Sequence, residues 1–216
     1  MNEVLPFRRA RKPEEQQLRR EAILRAAAEL FDAEGPAGAG LNAIAARAGF
    51  TKSNVYRYFE SREEVLISLF LDELEGFVAD LEQGLARCAS GDLDAIAAAS
   101  VDGFVARPRF CAMLAVLAGV LEQNVSESRI IALKRSAVNL YLRVAAALAS
   151  KLPGASLEDC AWAGAMAATL VAGMWPSAHP SPVAARVLAM PEFAQLKPVP
   201  KRDLKRPIRA LLASIA

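Results

Sequence analysis

The stretch Leu41–Leu66, LNAIAARAGFTKSNVYRYFESREEVL, decides the fold. Leu41, Ile44, Ala45 and Ala48 recur at helical spacing, which predicts a short helix with one apolar side. Gly49 ends it, because glycine takes the left-handed C-cap conformation without a Cβ penalty. Thr51 then offers its hydroxyl as the N-cap of a second short helix, Lys52 to about Tyr58, with Val55 and Phe59 facing inward. Ser61-Arg62-Glu63-Glu64 reads as a capping box that starts a third helix. Two short helices joined by a tight glycine turn form a helix-turn-helix, whose second helix suits a DNA major groove.

On those residues the stretch resembles the N-terminal DNA-binding domain of the TetR family of transcriptional regulators. The matching positions are Ile44-Ala45, Ala48-Gly49-Phe50, Thr51-Lys52, Val55-Tyr56-Arg57-Tyr58-Phe59 and Ser61-Arg62-Glu63-Glu64-Val65-Leu66. Three residues depart from the pattern: Gly40 where a capping threonine is usual, Ser53 for glycine and Arg62 for lysine. The match runs from about Gln16 to Leu71; beyond that the likeness is one of length and helical layout. The resemblance implies a homodimer formed through the last two long helices of a helical body. It also implies a small-molecule pocket in that body, whose occupant releases a repressor from its operator.

Composition agrees with a helical chain. At 216 residues it holds one large or two small domains, and 54% hydrophobic content rich in Ala and Leu favours an all-α protein. A net charge of +2 does not itself announce a nucleic-acid partner, but its distribution is uneven. Arg8, Arg9, Arg11, Lys12, Arg19 and Arg20 crowd the front, and Lys197, Lys201, Arg202, Lys205, Arg206 and Arg209 lie near the end. Cys88, Cys111 and Cys160 stand far apart with no CxxC pair, which fits a reducing cytoplasm. The opening MNEVLPFRRARK lacks the apolar core of a signal peptide. The apolar stretch Cys160 to Trp175, ahead of a proline-rich segment, falls short of the ~20 residues of a bilayer span, so no membrane partner is expected.

In chain order, residues 1–13 form a basic arm, either laid on phosphates or the minor groove, or simply solvated. A first helix from about Glu14 to Glu34 buries Ile23, Ala27, Leu30 and Phe31 and ends at Gly35-Pro36. The helix begun at Ser61 extends to about Arg87, and its acids Glu63, Glu64, Asp72, Glu73 and Glu75 suit a solvated face. Further helices are expected over Leu93–Ala106, Phe110–Glu122 (closed by Gln123-Asn124), and from the Ser126 cap along Ile130, Leu133, Ala137, Leu140, Val144 and Leu148. Ser156 caps another helix to Trp175, whose small residues Ala161, Ala165, Ala168 and Ala172 permit close packing against a second helix. A proline-rich segment follows, with a helical piece over Pro182–Met190, then an amphipathic end bearing Leu204, Ile208, Leu211, Leu212 and Ile215. There Pro207 must lie in the first turn or kink the helix.

The candidate DNA-binding residues are Thr51, Lys52, Ser53, Asn54, Tyr56, Tyr58 and Arg62. Lys52 suits a phosphate, or is a plain solvated lysine. Ser53 and Asn54 near the helix start can reach base edges, Asn matching adenine. The resemblance puts Tyr56 and Tyr58 on the DNA side; the alternative for Tyr56 is half-buried packing. Arg62, with the amides opening the third helix, forms an anion site. Phe104, Met113, Trp162 and Met166 are candidates for a ligand cavity, against the simpler reading of ordinary core. His179, the only histidine, has no carboxylate or thiolate near it in sequence to complete a metal site. Neither a Gly-rich phosphate loop, a nucleophile elbow nor an HExxH pattern appears, so neither cofactor nor catalysis is expected.

The expectation is an all-α chain in three parts: a basic arm (1–13), a three-helix helix-turn-helix DNA-binding domain (14–60) and a larger helical ligand-binding and dimerisation domain (61–216). Its partners would be double-stranded DNA, a small-molecule effector and a second copy of itself. The competing class is a helical ligand-binding or interaction protein whose helix-turn-helix is purely structural.

Overall fold

The computed structural model describes residues 13–122 and 125–216, and the described residues are helical, with no strand among them. The expected arm (1–13, save Pro13) and the closing pair Gln123-Asn124 lie outside them. Residues up to Leu69 form one compact unit and Phe70–Ala216 another. The division falls nine residues beyond the boundary expected from sequence, inside the helix α4, Arg62–Ala86.

The first unit is built from α1 (Pro13–Gly38), α2 (Leu41–Arg47), α3 (Lys52–Val55) and the start of α4. Gly35 (φ 69°) kinks α1 at the predicted break, but Pro36–Gly38 add a further helical turn instead of a loop. Ile23, Leu24, Ala27, Leu30 and Phe31 of α1 enclose a core with Ile44, Val55, Phe59, Val65 and Leu66, each nearly or wholly buried. The larger of these side chains contribute about 1.5–3 kcal/mol apiece by leaving water, so the motif stands on a conventional apolar core.

α2 ends as predicted. Gly49 has φ 73°, its N–H bonds Ala46 O at 3.2 Å and the Phe50 N–H bonds Ala45 O at 2.8 Å. That paired pattern is a Schellman turn, which needs the left-handed residue glycine supplies. At the other end of α2, Gly40 caps without a side-chain bond, so the missing threonine leaves those amides one acceptor short.

α3 is shorter than expected. From Arg57 the ladder tightens: the Arg57 N–H bonds Asn54 O and the Tyr58 N–H bonds Val55 O, three residues back instead of four. Tyr56–Tyr58 therefore form turns rather than continued α-helix. The capping box at α4 is also displaced. Ser61 Oγ accepts from the Glu64 N–H at 3.1 Å, while Glu64 Oε2 accepts from the N–H of Glu60, one residue before the expected donor.

The second unit comprises the rest of α4, α5 (Leu93–Val105), α6 (Pro108–Val116), a π-helical turn (Leu117–Leu121), α7 (Glu127–Ala149) and α8 (Leu157–Ala178). α9 (Pro182–Leu188), a 3-10 turn (Ala194–Leu196), α10 (Pro200–Asp203) and α11 (Lys205–Ala213) complete it. α7 and α8 pack on each other, α6 on α8, and α11 on α5 and α8. Gly164 lets α7 and α8 close: a Cβ there would sit 3.1 Å from Val144 Cγ1. α8 runs three residues past its predicted end, through Pro176, and Pro207 falls in the first turn of α11. Leu204, Ile208 and Leu212 are buried, as their spacing predicts.

The acidic stretch of α4 is only in part the solvated face expected of it: Asp72 and Glu75 are exposed, whereas Glu63 and Glu73 are partly covered and Glu64 is buried. Glu73 pairs with Arg109 at 2.6 Å and Arg107 at 3.7 Å, and Arg107 also reaches Asp80 at 2.8 Å. Arg107 lies across Gly76, where an alanine Cβ would come within 2.3 Å of its Nη1. Arg143 of α7 grips Glu82 with two nitrogens, at 2.7 and 2.9 Å, and Glu75 with a third contact at 2.6 Å. The Arg143 hydrogen bonds hold the Glu82 carboxyl below its ordinary range. Sequence spacing places these acids on α4 but does not show that arginines from 107, 109 and 143 return to meet them. The C-terminal basic cluster is partly spent in the same way, Lys201 on Asp102 and Arg209 on Asp94.

Candidate nucleic-acid interface and body cavity

The outward side of α3 follows from its cap. Thr51 Oγ1 accepts from the Asn54 N–H at 3.3 Å, fixing the helix start. Lys52 and Ser53 in the first turn are exposed, as are Tyr56, half-exposed at 50%, and Arg57. The Lys52 ammonium lies 5.8 Å from the Tyr56 ring centroid. No acid occurs between Thr51 and Phe59, so two cations and a phenol stand together without a carboxylate of the same stretch. Such a surface can bind phosphate through Lys52 and Arg57 and present Ser53 and Tyr56 to a groove.

Other candidate residues sit differently. Asn54 is 5% exposed, and neither atom of its amide has a hydrogen-bond partner. α3 turns Asn54 and Val55 to the buried side together, so Asn54 stands behind the exposed surface and not on it. Tyr58 is intermediate in burial. Arg62 is largely covered, with Nε 3.5 Å from Glu63 Oε1, a partner that competes with any phosphate. Arg57, which sequence alone leaves unassigned, is a second outward cation beside Lys52, in the turn that follows α3.

The body holds a partly open apolar cavity of about 200 Å³. One wall is a stack of phenylalanines: Phe77 lies 4.5 Å from Phe104 and 4.9 Å from Phe110, centroid to centroid, and Phe70 lies 5.7 Å from Phe110. Facing residues of α8 are small, Ala163, Gly164, Ala167 and Ala168, and Val144, Leu148 and Ile208 complete much of the rest. Of the four cavity candidates, Phe104 lines it. Met113 is wholly buried but off the lining, Met166 is half-buried and off it, and Trp162 is 46% exposed.

The remaining reactive groups are quiet. Burial pushes the Cys111 thiol up to about 12, and its Sγ lies 3.2 Å from Phe104 O. His179 stacks on Trp175 at 4.2 Å and places Nδ1 3.1 Å from the Trp175 carbonyl. Among the described residues no group of His, Cys, Asp or Glu is arranged to hold a metal ion, and no helix is long and apolar enough to cross a membrane.

A helix-turn-helix head followed by a larger all-helical body defines a class of DNA-binding transcriptional regulators. Two family models match in register with the two units: "Bacterial regulatory proteins, tetR family" over residues 23–69 and "Tetracyclin repressor-like, C-terminal domain" over residues 71–215. The chain belongs to the TetR family. Solved structures of similar fold include two transcriptional regulators from Rhodococcus sp. RHA1. One is 16% identical with TM-score 0.64, covering 91% of this chain and 94% of that one; the other is 18% identical with TM-score 0.57, covering 91% and 95%. A third is FadR from Bacillus subtilis in complex with stearoyl-CoA, 19% identical, TM-score 0.51, covering 91% and 98%. No curated protein sequence matches the chain.

Proposed function

We propose that this chain is a homodimeric repressor that binds a palindromic operator through α3 and is released by a small apolar ligand held in its body. In this reading residues 1–13 are a basic arm, 14–60 the DNA-binding head and 61–216 the ligand-binding and dimerisation body, acting in the cytoplasm without catalysis. The observation that carries it is the exposed surface of Lys52, Ser53, Tyr56 and Arg57 on a helix-turn-helix of this family. Thr51 sets the start of that surface, Tyr58 and Arg62 flank it, and Asn54 supports it from the buried side.

Homodimerisation is supported by large apolar side chains left exposed on the two longest helices that follow α4. Ile131, Val138 and Leu142 of α7 and Trp162 and Leu170 of α8 all stand in solvent in a single chain. One short recognition helix also reads too few base pairs for useful specificity, which two symmetric copies repair. Ligand control is supported by the cavity. For the occupant to act as a switch it must prefer the conformation that cannot hold DNA, and coupling of about 1–3 kcal/mol would be ordinary.

The test of the DNA surface is the salt dependence of duplex binding by Lys52→Ala. Neutralising one phosphate fewer flattens the log–log slope by about 0.9, so the variant should bind more weakly and less steeply than the parent. An unchanged slope removes Lys52 from the interface. A parent chain that shows no salt-dependent binding to any duplex favours the purely structural helix-turn-helix.

A further inference from the structure

The lining of the body cavity restricts what can enter it more closely than its apolar character alone. Among the described residues no Asp, Glu, Lys, Arg or His borders it. The polar side chains among the lining residues are two hydroxyls, Ser100 and Tyr141, and each already spends its hydrogen. Ser100 Oγ donates to Ile96 O at 2.9 Å, and the Tyr141 hydroxyl donates to the carbonyl of Ala161. Burial raises the Tyr141 pKa, opposed by a backbone hydrogen bond from Ala165. A hydroxyl that has donated retains lone pairs. The lining side chains therefore offer acceptors to a guest and no spare donor.

Size sets the second limit. An apolar cavity of about 150 Å³ stays dry and takes up benzene or xenon; this one is about 200 Å³. The four phenylalanine rings stack within 6–29° of parallel, so a column of aromatic rings and the small residues of α8 share the lining. From lining and size together we propose that the effector is a compact, uncharged hydrophobe, on the order of one or two rings, whose one accommodated polar group is a hydrogen-bond donor such as a phenolic hydroxyl. A carboxylate or phosphate of the same size is rejected, because it would lie unpaired in an apolar site. The inference rests on the reading of the body as an effector-binding unit and adds the chemical class.

The experiment is calorimetric titration of the full-length protein, without DNA, with toluene, 4-methylphenol and 4-methylbenzoate, one shape with three polar endings. The first two should bind saturably and the benzoate about tenfold or more weakly. Ala167→Leu, which fills the small-residue wall, should weaken all binding while circular dichroism shows an intact helical fold. Ser100→Ala, a smaller change that leaves the helix capable of folding, should weaken 4-methylphenol several-fold and leave toluene unchanged. Benzoate binding as tight as phenol, or no saturable binding of toluene and phenol, overturns the proposal. A folded Ala167→Leu protein with undiminished affinity overturns the site, and a Ser100→Ala protein that treats phenol and toluene alike overturns the donor. DNA binding of the unliganded protein is measured separately, so that failure of the ligand class with DNA binding intact is distinct from failure of the regulator reading.

Discussion

Phe110→Ala is expected to destabilise the body by about 3–5 kcal/mol, the range for truncating a fully buried aromatic. Phe110 is 2% exposed and is stacked at 4.9 Å on Phe77, 5.7 Å on Phe70 and 6.3 Å on Phe104. The truncation removes transfer free energy and three ring stackings, and the space it leaves joins a cavity that is already open. A void that cannot collapse sits at the upper end of the range. The check is urea unfolding of parent and variant, with the two compact units tested for separate transitions before one free energy is assigned. A change under about 1 kcal/mol would mean that the phenylalanine wall rearranges freely, and the cavity would then lack a defined shape.

Leu142→Glu is expected to convert the proposed dimer to monomer and, with it, to abolish tight binding to the proposed operator. Leu142 is 54% exposed, and Val138, four residues before it on α7, is 53% exposed. Large apolar side chains so placed either meet a partner or stand in water at a cost. At a two-fold contact the substitution brings one carboxylate from each copy into the same apolar region, and juxtaposed like charges cost several kcal/mol. Because Leu142 is exposed in the isolated chain, the fold itself should survive, which circular dichroism verifies. Sedimentation should then show the monomer mass. A variant of dimer mass with parental DNA affinity would move the interface away from this side of α7.

The head is largely legible in the sequence because its signals are local. Gly49, the Thr51 cap and the Ser61–Glu64 box each act within about one turn, and each makes the bond its residue type calls for, the Glu64 half displaced by one residue. Legibility ends where a helix is too short to own a face. α3 spans Lys52–Val55, and periodicity over one turn cannot say that Asn54 turns inward while Lys52 and Ser53 do not.

The body is hard to read for the opposite reason. α8 is apolar or small on nearly every side, so no period distinguishes the side facing α6 and α7 from the side facing solvent. Trp162 and Met166 suit a cavity by residue type alone, yet Cys160, Ala163, Ala167, Val171 and Trp175 are the buried ones. Ala168, placed with the small stripe, lines the cavity. The acids of α4 show the same limit for charge. Whether Glu73 and Glu82 face water depends on Arg107, Arg109 and Arg143, which sequence separation hides.

That two copies of α3 read DNA as a symmetric pair is best tested by selection from a random duplex library on the full-length protein. The predicted result is enrichment of a sequence with two inverted half-sites, centred about one helical turn or a multiple apart, and bound less tightly as salt rises. Lys52→Ala should reduce that binding, and Leu142→Glu should reduce it further. A library that emerges from repeated rounds with no enriched sequence, or with a single asymmetric half-site bound equally well by the Leu142→Glu monomer, would contradict it.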